Sequence, residues 1–319
     1  MGEALVYLVT GGSGFIGEHI VELLCKEDYV SEVRVFDSVA GEEVKKFATG
    51  TENVLKACYT LSVPYVVYTS SIAAVGPNTQ QEPMLRGTED TKYSGEVELP
   101  YGKTKAMAEK LVLEANGKEL SNGGKLATCI ICPNTIYGEK YLVLKHSHTV
   151  AKAKGGALDY LEPEDTERNC TYVGNVAWMH VLAARNLQLK PDVLAGQVYY
   201  SYDDTPTRKG FLVRYQLLSG MDPSIRLGSR IPYWKVWLQI YVYRIIRILL
   251  YPFWKPQPFL NLPLLNTITT TFSYETDKAF RHFGYTPLYS WGESKRRTTE
   301  WLKSATKNSR SHQHHGKET

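Results

Sequence analysis

Tyr101 and Lys105 stand four residues apart in LPYGKTKAMAEKLVLEANG, a spacing that puts both side chains on one face of a helix. A tyrosine with a pKa near ~10 is a poor base at neutral pH. An ammonium beside it, helped by the positive charge of a bound nicotinamide, favours the phenolate and lowers that pKa. Upstream, the apolar run VVYT ends in Ser70 and Ser71. Either serine could hydrogen-bond a substrate oxygen and hold it against Tyr101; Ser71 is the preferred choice. Such a trio oxidises an alcohol, with Tyr101 taking the hydroxyl proton while the carbinol carbon gives hydride to a cofactor. A tyrosine and lysine at this spacing are also common on helix surfaces, so the pair gains its weight from what precedes it.

What precedes it is YLVTGGSGFIGEHIVELLCKE. A β-rich run leads into Gly11, Gly14 and Gly17, and a helix follows with Ile16, Ile20, Leu23 and Leu24 on one face. Gly11 allows a tight turn, Gly14 lets backbone approach a pyrophosphate, and Gly17 lets the helix pack closely on the strand. The helix N-terminus offers unpaired N–H groups and partial positive charge to phosphates. A second strand, EVRVFD, ends in Asp37, placed to accept hydrogen bonds from the adenosine ribose and to repel a 2′-phosphate. This favours NAD over NADP.

The remaining composition sets bounds. A chain of 319 residues, 43% of them hydrophobic, can bury one large core or two modest ones. Its formal charge of +4 is mild, but from residue 231 onward there are thirteen Lys/Arg against five Asp/Glu. The first strand-like run starts at Ala4, leaving no room for a basic leader and cleavage site, so no secretory signal is expected. Five scattered cysteines suit a reducing compartment. Cys129 and Cys132 lie in a strand-like run, where residues three apart face opposite sides, so no shared metal is expected. Asn169-Cys170-Thr171 matches a glycosylation sequon, read as accidental in a chain without an export signal. No module with basic and stacking aromatic residues suggests nucleic acid.

TGGSGFIG, YTSSIAAVGPN, YGKTK, CPNTIYGE and YVGNVAWMHVLAAR together resemble the extended short-chain dehydrogenases. More narrowly, they are similar to the 3β-hydroxysteroid dehydrogenase/Δ5-Δ4 isomerase family, as is the C-terminal run TTFSYETDKAFRHFGYTPLYSWGESKRRT. YVGNVAWMHVLAAR and AGQVYY lean toward the branch acting on C27 sterols in bile-acid synthesis. The resemblance implies a Rossmann-type doubly wound α/β sheet with a smaller C-terminal substrate domain. It implies Gly11, Gly14 and Gly17 at the pyrophosphate, Asp37 at the ribose and Pro133 beside the nicotinamide. Ser71, Tyr101 and Lys105 fall at the reaction centre. It further implies an NAD-dependent enzyme of the endoplasmic reticulum membrane, the mitochondrial membrane being the lesser alternative, and it allows a homo-oligomer. Such an enzyme oxidises a 3β-hydroxyl and then shifts the ring double bond from Δ5 to Δ4.

The chain departs from this pattern after Asp37. A strand, helix and further strand should separate Asp37 from the helix GTENVLKAC, yet only Ser38 to Thr49 intervene. About two βα units are absent, roughly sixty residues at about thirty per unit. In the doubly wound order 3-2-1-4-5-6, the fourth strand lies between the first and fifth. Its loss either joins those two directly or leaves a gap with unpaired backbone groups. Two smaller departures are Cys132, where the family usually has arginine, and Phe47, near its helix-start asparagine.

The run IPYWKVWLQIYVYRIIRILLYPFW, residues 231–254, is aromatic and apolar but broken by Lys235, Arg244 and Arg247. A spanning helix needs ~20 mostly uncharged residues, so this one is expected to lie in a membrane interface. The expected division is 1–205 for the nucleotide domain, 206–305 for the substrate and membrane-associated region, and 306–319 for a disordered tail. Two alternatives to a steroid dehydrogenase stand beside it. One is a nucleotide-sugar epimerase or reductase. The other is a catalytically impaired, shortened protein that binds sterol or pairs with other subunits.

Overall fold

A computed structural model describes residues 5–37, 45–251 and 260–315, with side chains over 5–37, 50–251 and 260–307. The chain begins with β1 (Leu5–Thr10), α1 (Gly17–Leu24), β2 (Val30–Phe36), α2 (Lys45–Leu61) and β3 (Tyr65–Thr69). A 3-10 turn (Ile72–Ala74) then leads to β4 (Met84–Gly87), α3 (Pro100–Ala115), β5 (Ala127–Cys132) and β6 (Thr135–Tyr137). Next come α4 (Leu142–Ala153), β7 (Ala157–Tyr160), β8 (Cys170–Tyr172), α5 (Val173–Leu189), α6 (Pro191–Leu194) and β9 (Gln197–Tyr200). The last elements are α7 (Gly210–Met221), β10 (Arg226–Arg230), α8 (Tyr233–Leu249), α9 (Leu262–Thr269), β11 (Phe272–Tyr274), α10 (Lys278–Phe283) and α11 (Trp291–His315).

Every strand pairing between these elements is parallel. Strands β3, β5 and β9 form one sheet with β5 in the middle. Parallel strands buried on both faces read as continuous apolar runs, and ATCIIC is one. Its alternate residues serve opposite layers. Cys129 and Ile131 pack with Met179, Ala183 and Leu187 of α5, whereas Ile130 and Cys132 pack with Leu55 of α2 and Val112 of α3. The two cysteines thus face opposite sides. Burying an isoleucine such as Ile130 or Ile131 stabilises the fold by about 1.5–3 kcal/mol.

Strands β1 and β2 form a separate two-stranded sheet. Among the described residues, no strand joins β1 to β3, so the sheet divides where the fourth strand of the doubly wound order would lie. Helix α5 lies under both parts. Val9, Leu23 and Leu24 pack with Ala177 and Val181, Val67 packs with Met179 and Ala183, and Trp178 touches both clusters. Strand β1 therefore buries one face and bares the other: Val6 is 53% exposed and Leu8 62%. Val35 and Phe36 of β2 are exposed as well.

The chain does not divide cleanly at residues 205 and 206. Strand β7 pairs with β10, and β4 with β11, so the substrate side draws on both parts of the sequence. Nor does order end at residue 306. Helix α11 continues to His315, its first half braced by Glu293, Arg296 and Glu300 at three- and four-residue spacing. The side chains of Phe47 and of the tail histidines lie outside the described residues, as does the chain from 38 to 44.

Candidate active site

The glycine loop joins β1 to α1. Gly11 adopts a left-handed conformation at φ 70°, which only glycine takes without strain, and its N–H donates to Phe36 O at 2.7 Å. Gly14 N–H donates back to Gly11 O at 3.0 Å. A Cβ on Gly14 would approach that carbonyl at 3.1 Å, and one on Gly17 would run into it. The loop folds flat because side chains are missing at both positions. Gly12, which the spacing pattern did not single out, serves likewise: a Cβ there would lie 2.6 Å from Val35 Cγ1. The doubled glycine was its only sequence signal. Asp37, at the end of β2, accepts the Ser13 N–H at 2.9 Å. Loop and carboxylate together fit the adenosine–pyrophosphate half of a dinucleotide. The other half meets the divided sheet.

Ser71, two residues beyond β3, is in extended conformation and caps the 3-10 turn, its Oγ accepting from Ala73 N–H at 3.2 Å. Its hydroxyl also hydrogen-bonds the Tyr101 phenol. Ser70 turns the other way and is buried beside Glu109 and Cys132. Strand alternation thus separates the two serines. Helix α3 begins at Pro100, whose fixed φ suits a first helical position, and so sets Tyr101 in its first turn. Gly102 brings that turn against the serine turn, for a Cβ on it would collide with the Ala73 carbonyl oxygen. Pro133 is buried at the end of β5, and its carbonyl accepts Ile72 N–H at 2.9 Å, which braces the same turn from below.

Lys105 is buried and donates from Nζ to the Thr69 carbonyl at 2.8 Å. The ammonium lies 6.0 Å from the Tyr101 ring centre and 5.1 Å from that of Tyr68. The sequence predicts that this ammonium, helped by the charge of a bound nicotinamide, lowers the tyrosine pKa; the protein's own groups act in the opposite direction. Burial raises the Tyr101 phenol above its usual value, and the Ser71 hydrogen bond offsets only part of the rise. Burial also lowers the Lys105 ammonium. One further turn along α3, Glu109 accepts from Cys132 Sγ at 3.2 Å. Burial pushes its carboxyl up, against the Ser70 and Cys132 contacts and the Lys105 charge. Spacings of four and eight residues from Lys105 and Tyr101 could have revealed it.

A cavity of about 450 Å³ opens beyond the end of β9, lined by Arg86, Glu167, Asp203, Arg208 and Glu275 among others. It contains none of the trio. Its arginines are answered by carboxylates, Arg86 by Glu167 and Arg208 by Glu275, each at 3.1 Å. This is a polar cleft, its charged lining unsuited to an apolar ring system.

The sequence profile of the 3-beta hydroxysteroid dehydrogenase/isomerase family matches residues 8–49 and 42–231. The 3 beta-hydroxysteroid dehydrogenase type 7 of Homo sapiens is 37% identical over 360 residues, covering 95% of this chain and 97% of the relative. The 3 beta-hydroxysteroid dehydrogenase/Delta 5-->4-isomerase of Vaccinia virus (strain Western Reserve) is 33% identical over 347 residues, covering 93% and 98%. An alignment of 360 residues exceeds the 319 of this chain, so the human relative carries residues without a counterpart here. The two profile matches meet at 42–49, which places the break after Asp37. Among solved structures, UDP-glucuronic acid 4-epimerase from Bacillus cereus in complex with NAD has a TM-score of 0.63 at 15% identity, covering 94% of this chain and 99% of that one. A UDP-galactose 4-epimerase gives 0.62 at 14%, covering 94% and 99%. At such identities they show the fold alone.

Proposed function

The chain belongs to the 3-beta hydroxysteroid dehydrogenase/isomerase family, and from that premise we propose that it oxidises a 3β-hydroxy-Δ5-steroid to the 3-oxo steroid, with Δ5 to Δ4 isomerisation. The observation that carries this reading is the convergence of Ser71, Tyr101 and Lys105 at the carboxyl end of β3. Tyr101 accepts the proton of the 3β-hydroxyl. Ser71 holds the substrate oxygen, and Lys105 supplies positive charge behind the ring. Gly11, Gly14, Gly17 and Asp37 would hold NAD, which when bound provides the hydride acceptor. Pro133 acts by fixing the turn that carries Ser71.

The substrate is a C27 sterol in this reading, and it reaches the site from a membrane, that of the endoplasmic reticulum. Helix α8 supports the approach from a membrane. Trp234, Leu238, Val242, Ile245 and Leu249 recur at three- and four-residue intervals, all substantially exposed, with Lys235, Arg244 and Arg247 on the same helix. No described helix is long and apolar enough to cross a membrane. The arrangement suits a helix lying in the interface with its cations at the headgroups.

A second reading, a chain that keeps the trio but binds NAD poorly, rests on the divided sheet. Turnover by the detergent-solubilised protein decides between them, with a 3β-hydroxy-Δ5 sterol and NAD supplied and NADH and conjugated enone followed separately. The first reading expects both signals, and both lost in Tyr101→Phe. Silence from folded protein would sink it.

A further inference from the structure

The space between β1 and β3 has a chemistry that the backbone hydrogen bonds define. Leu5 N–H donates to Tyr29 O at 3.3 Å and Gly11 N–H to Phe36 O at 2.7 Å. In a parallel ladder the N–H and C=O of one residue point the same way, and successive residues alternate. Leu5, Tyr7 and Val9 therefore serve β2, while Val6, Leu8 and Thr10 present their backbone groups to the opposite edge. On β3, Ser70 N–H donates to Ile131 O at 2.8 Å, and Pro64 O accepts Ala127 N–H at 2.9 Å. Even-numbered residues thus serve β5, and Tyr65, Val67 and Thr69 present theirs away from it.

Two rows of donors and acceptors result, both on parallel strands and both over α5. Among the described residues, neither row has a strand partner. The Thr69 carbonyl is met instead by the Lys105 ammonium at 2.8 Å. Beside β1, the apolar side chains of Val6, Leu8, Val35 and Phe36 stand exposed on one sheet. Paired sheet edges and covered apolar faces are the rule in parallel sheets.

We propose that this space is an acceptor slot for a single extended, parallel β-strand supplied by another polypeptide. Its occupant is apolar and β-branched, since its inner face would rest on α5, and it is joined to an amphipathic helix that covers Val6 and Leu8. The break in the alignment identifies this chemistry. The human relative carries residues without a counterpart here, and the two family-profile matches meet at 42–49, the part of the chain from which a doubly wound sheet would draw its third and fourth strands. Strand addition of this kind takes affinity from main-chain hydrogen bonds and specificity from alternate side chains.

The test uses the full chain and a synthetic peptide copying the segment of the human relative that has no counterpart here. Amide exchange is followed residue by residue. Saturating peptide should slow exchange at Val6, Leu8, Thr10 and Val67 by about tenfold or more, as newly paired amides, and leave Tyr7 and Val9 unchanged. The same peptide N-methylated along its strand should give no protection. Leu8→Pro removes an N–H that faces the slot and none from the β1–β2 ladder, so it should weaken binding while Tyr7 and Val9 stay protected. If Val6 and Leu8 prove equally protected before peptide is added, the slot is already filled by this chain or a second copy and the proposal fails. It fails also if no slowing is seen, or if a scrambled peptide protects equally.

Discussion

At the scale of the residue, Tyr101 decides how the site responds to pH. The phenol must be ionised to accept a proton, and burial raises its pKa while the hydrogen bond from Ser71 pulls the other way. Lys105 donates to the Thr69 carbonyl, with its ammonium 6.0 Å from the Tyr101 ring centre. A base with a raised pKa is mostly protonated at neutral pH. For the purified protein, kcat/KM should therefore climb steadily with pH toward and beyond ~10, the ordinary tyrosine value. A plateau reached already at pH 7 would show that the charge of bound nicotinamide, with that of Lys105, outweighs burial and holds the phenol ionised.

Elements meet through contacts that single substitutions can probe, and two helix glycines make opposite cases. Gly50 in α2 has nothing near its would-be Cβ, so Gly50→Ala should stabilise the protein by about 0.5–1 kcal/mol through helix propensity. Gly102 in α3 presses on the Ala73 carbonyl. There the same propensity gain is outweighed, because α3 must back away from the serine turn. Gly102→Ala should lower turnover by roughly a hundredfold, the scale of a 1 Å misplacement, and thermal unfolding of both variants beside wild type checks the opposite signs. Glu139 joins more distant elements. It accepts from Tyr172 at 2.8 and 2.9 Å and from Arg297 of α11 at 3.0 Å, with His19 of α1 at 3.8 Å. Burial pushes its carboxyl up, but these partners together hold it at about 2 against an ordinary 4.5. A depressed carboxylate contributes stability that is fully present above its unfolded pKa and is lost as pH falls through the folded value. Glu139→Gln should cost roughly 3 kcal/mol at pH 7, with the difference closing between about pH 4.5 and pH 2. Denaturant unfolding at both ends of that range measures it; a cost that does not shrink in acid would assign the role to packing.

On the scale of the whole molecule, the exposed apolar stripe of α8 and the bared face of β1 and β2 differ in kind. The stripe runs along a helix that carries its own cations, whereas the face beside β1 is interrupted by a missing neighbour. Cosedimentation with vesicles of mixed anionic and neutral lipid separates them. Replacing Trp234, Leu238 and Ile245 by serine should reduce the bound fraction at least tenfold at fixed lipid, given about 25 cal/mol per Å² of apolar surface withdrawn from the bilayer. Replacing Val6 and Leu8 should leave it unchanged. Equal losses in both would mean that exposed apolar surface in general, and not α8, carries the binding.

Much of this was legible in the chain itself. The glycine loop, Asp37 and the Tyr101–Lys105 spacing are short-range patterns, and short-range geometry follows from local backbone preference. The order of motifs likewise exposed the missing segment, since two strands that should be far apart in sequence stand close together. What the linear chain left open depends on distances between remote residues. Whether Ser70 or Ser71 turns toward Tyr101 follows from the register of β3 on β5. The role of Gly102 exists only because Ala73 lies against it. The direction of the Tyr101 shift is set by burial, which no spacing rule contains. Likewise, whether β1 pairs with β3 across the missing strand or stays apart from it is decided only in the folded chain, where α5 packs against both strands and the sheet remains divided.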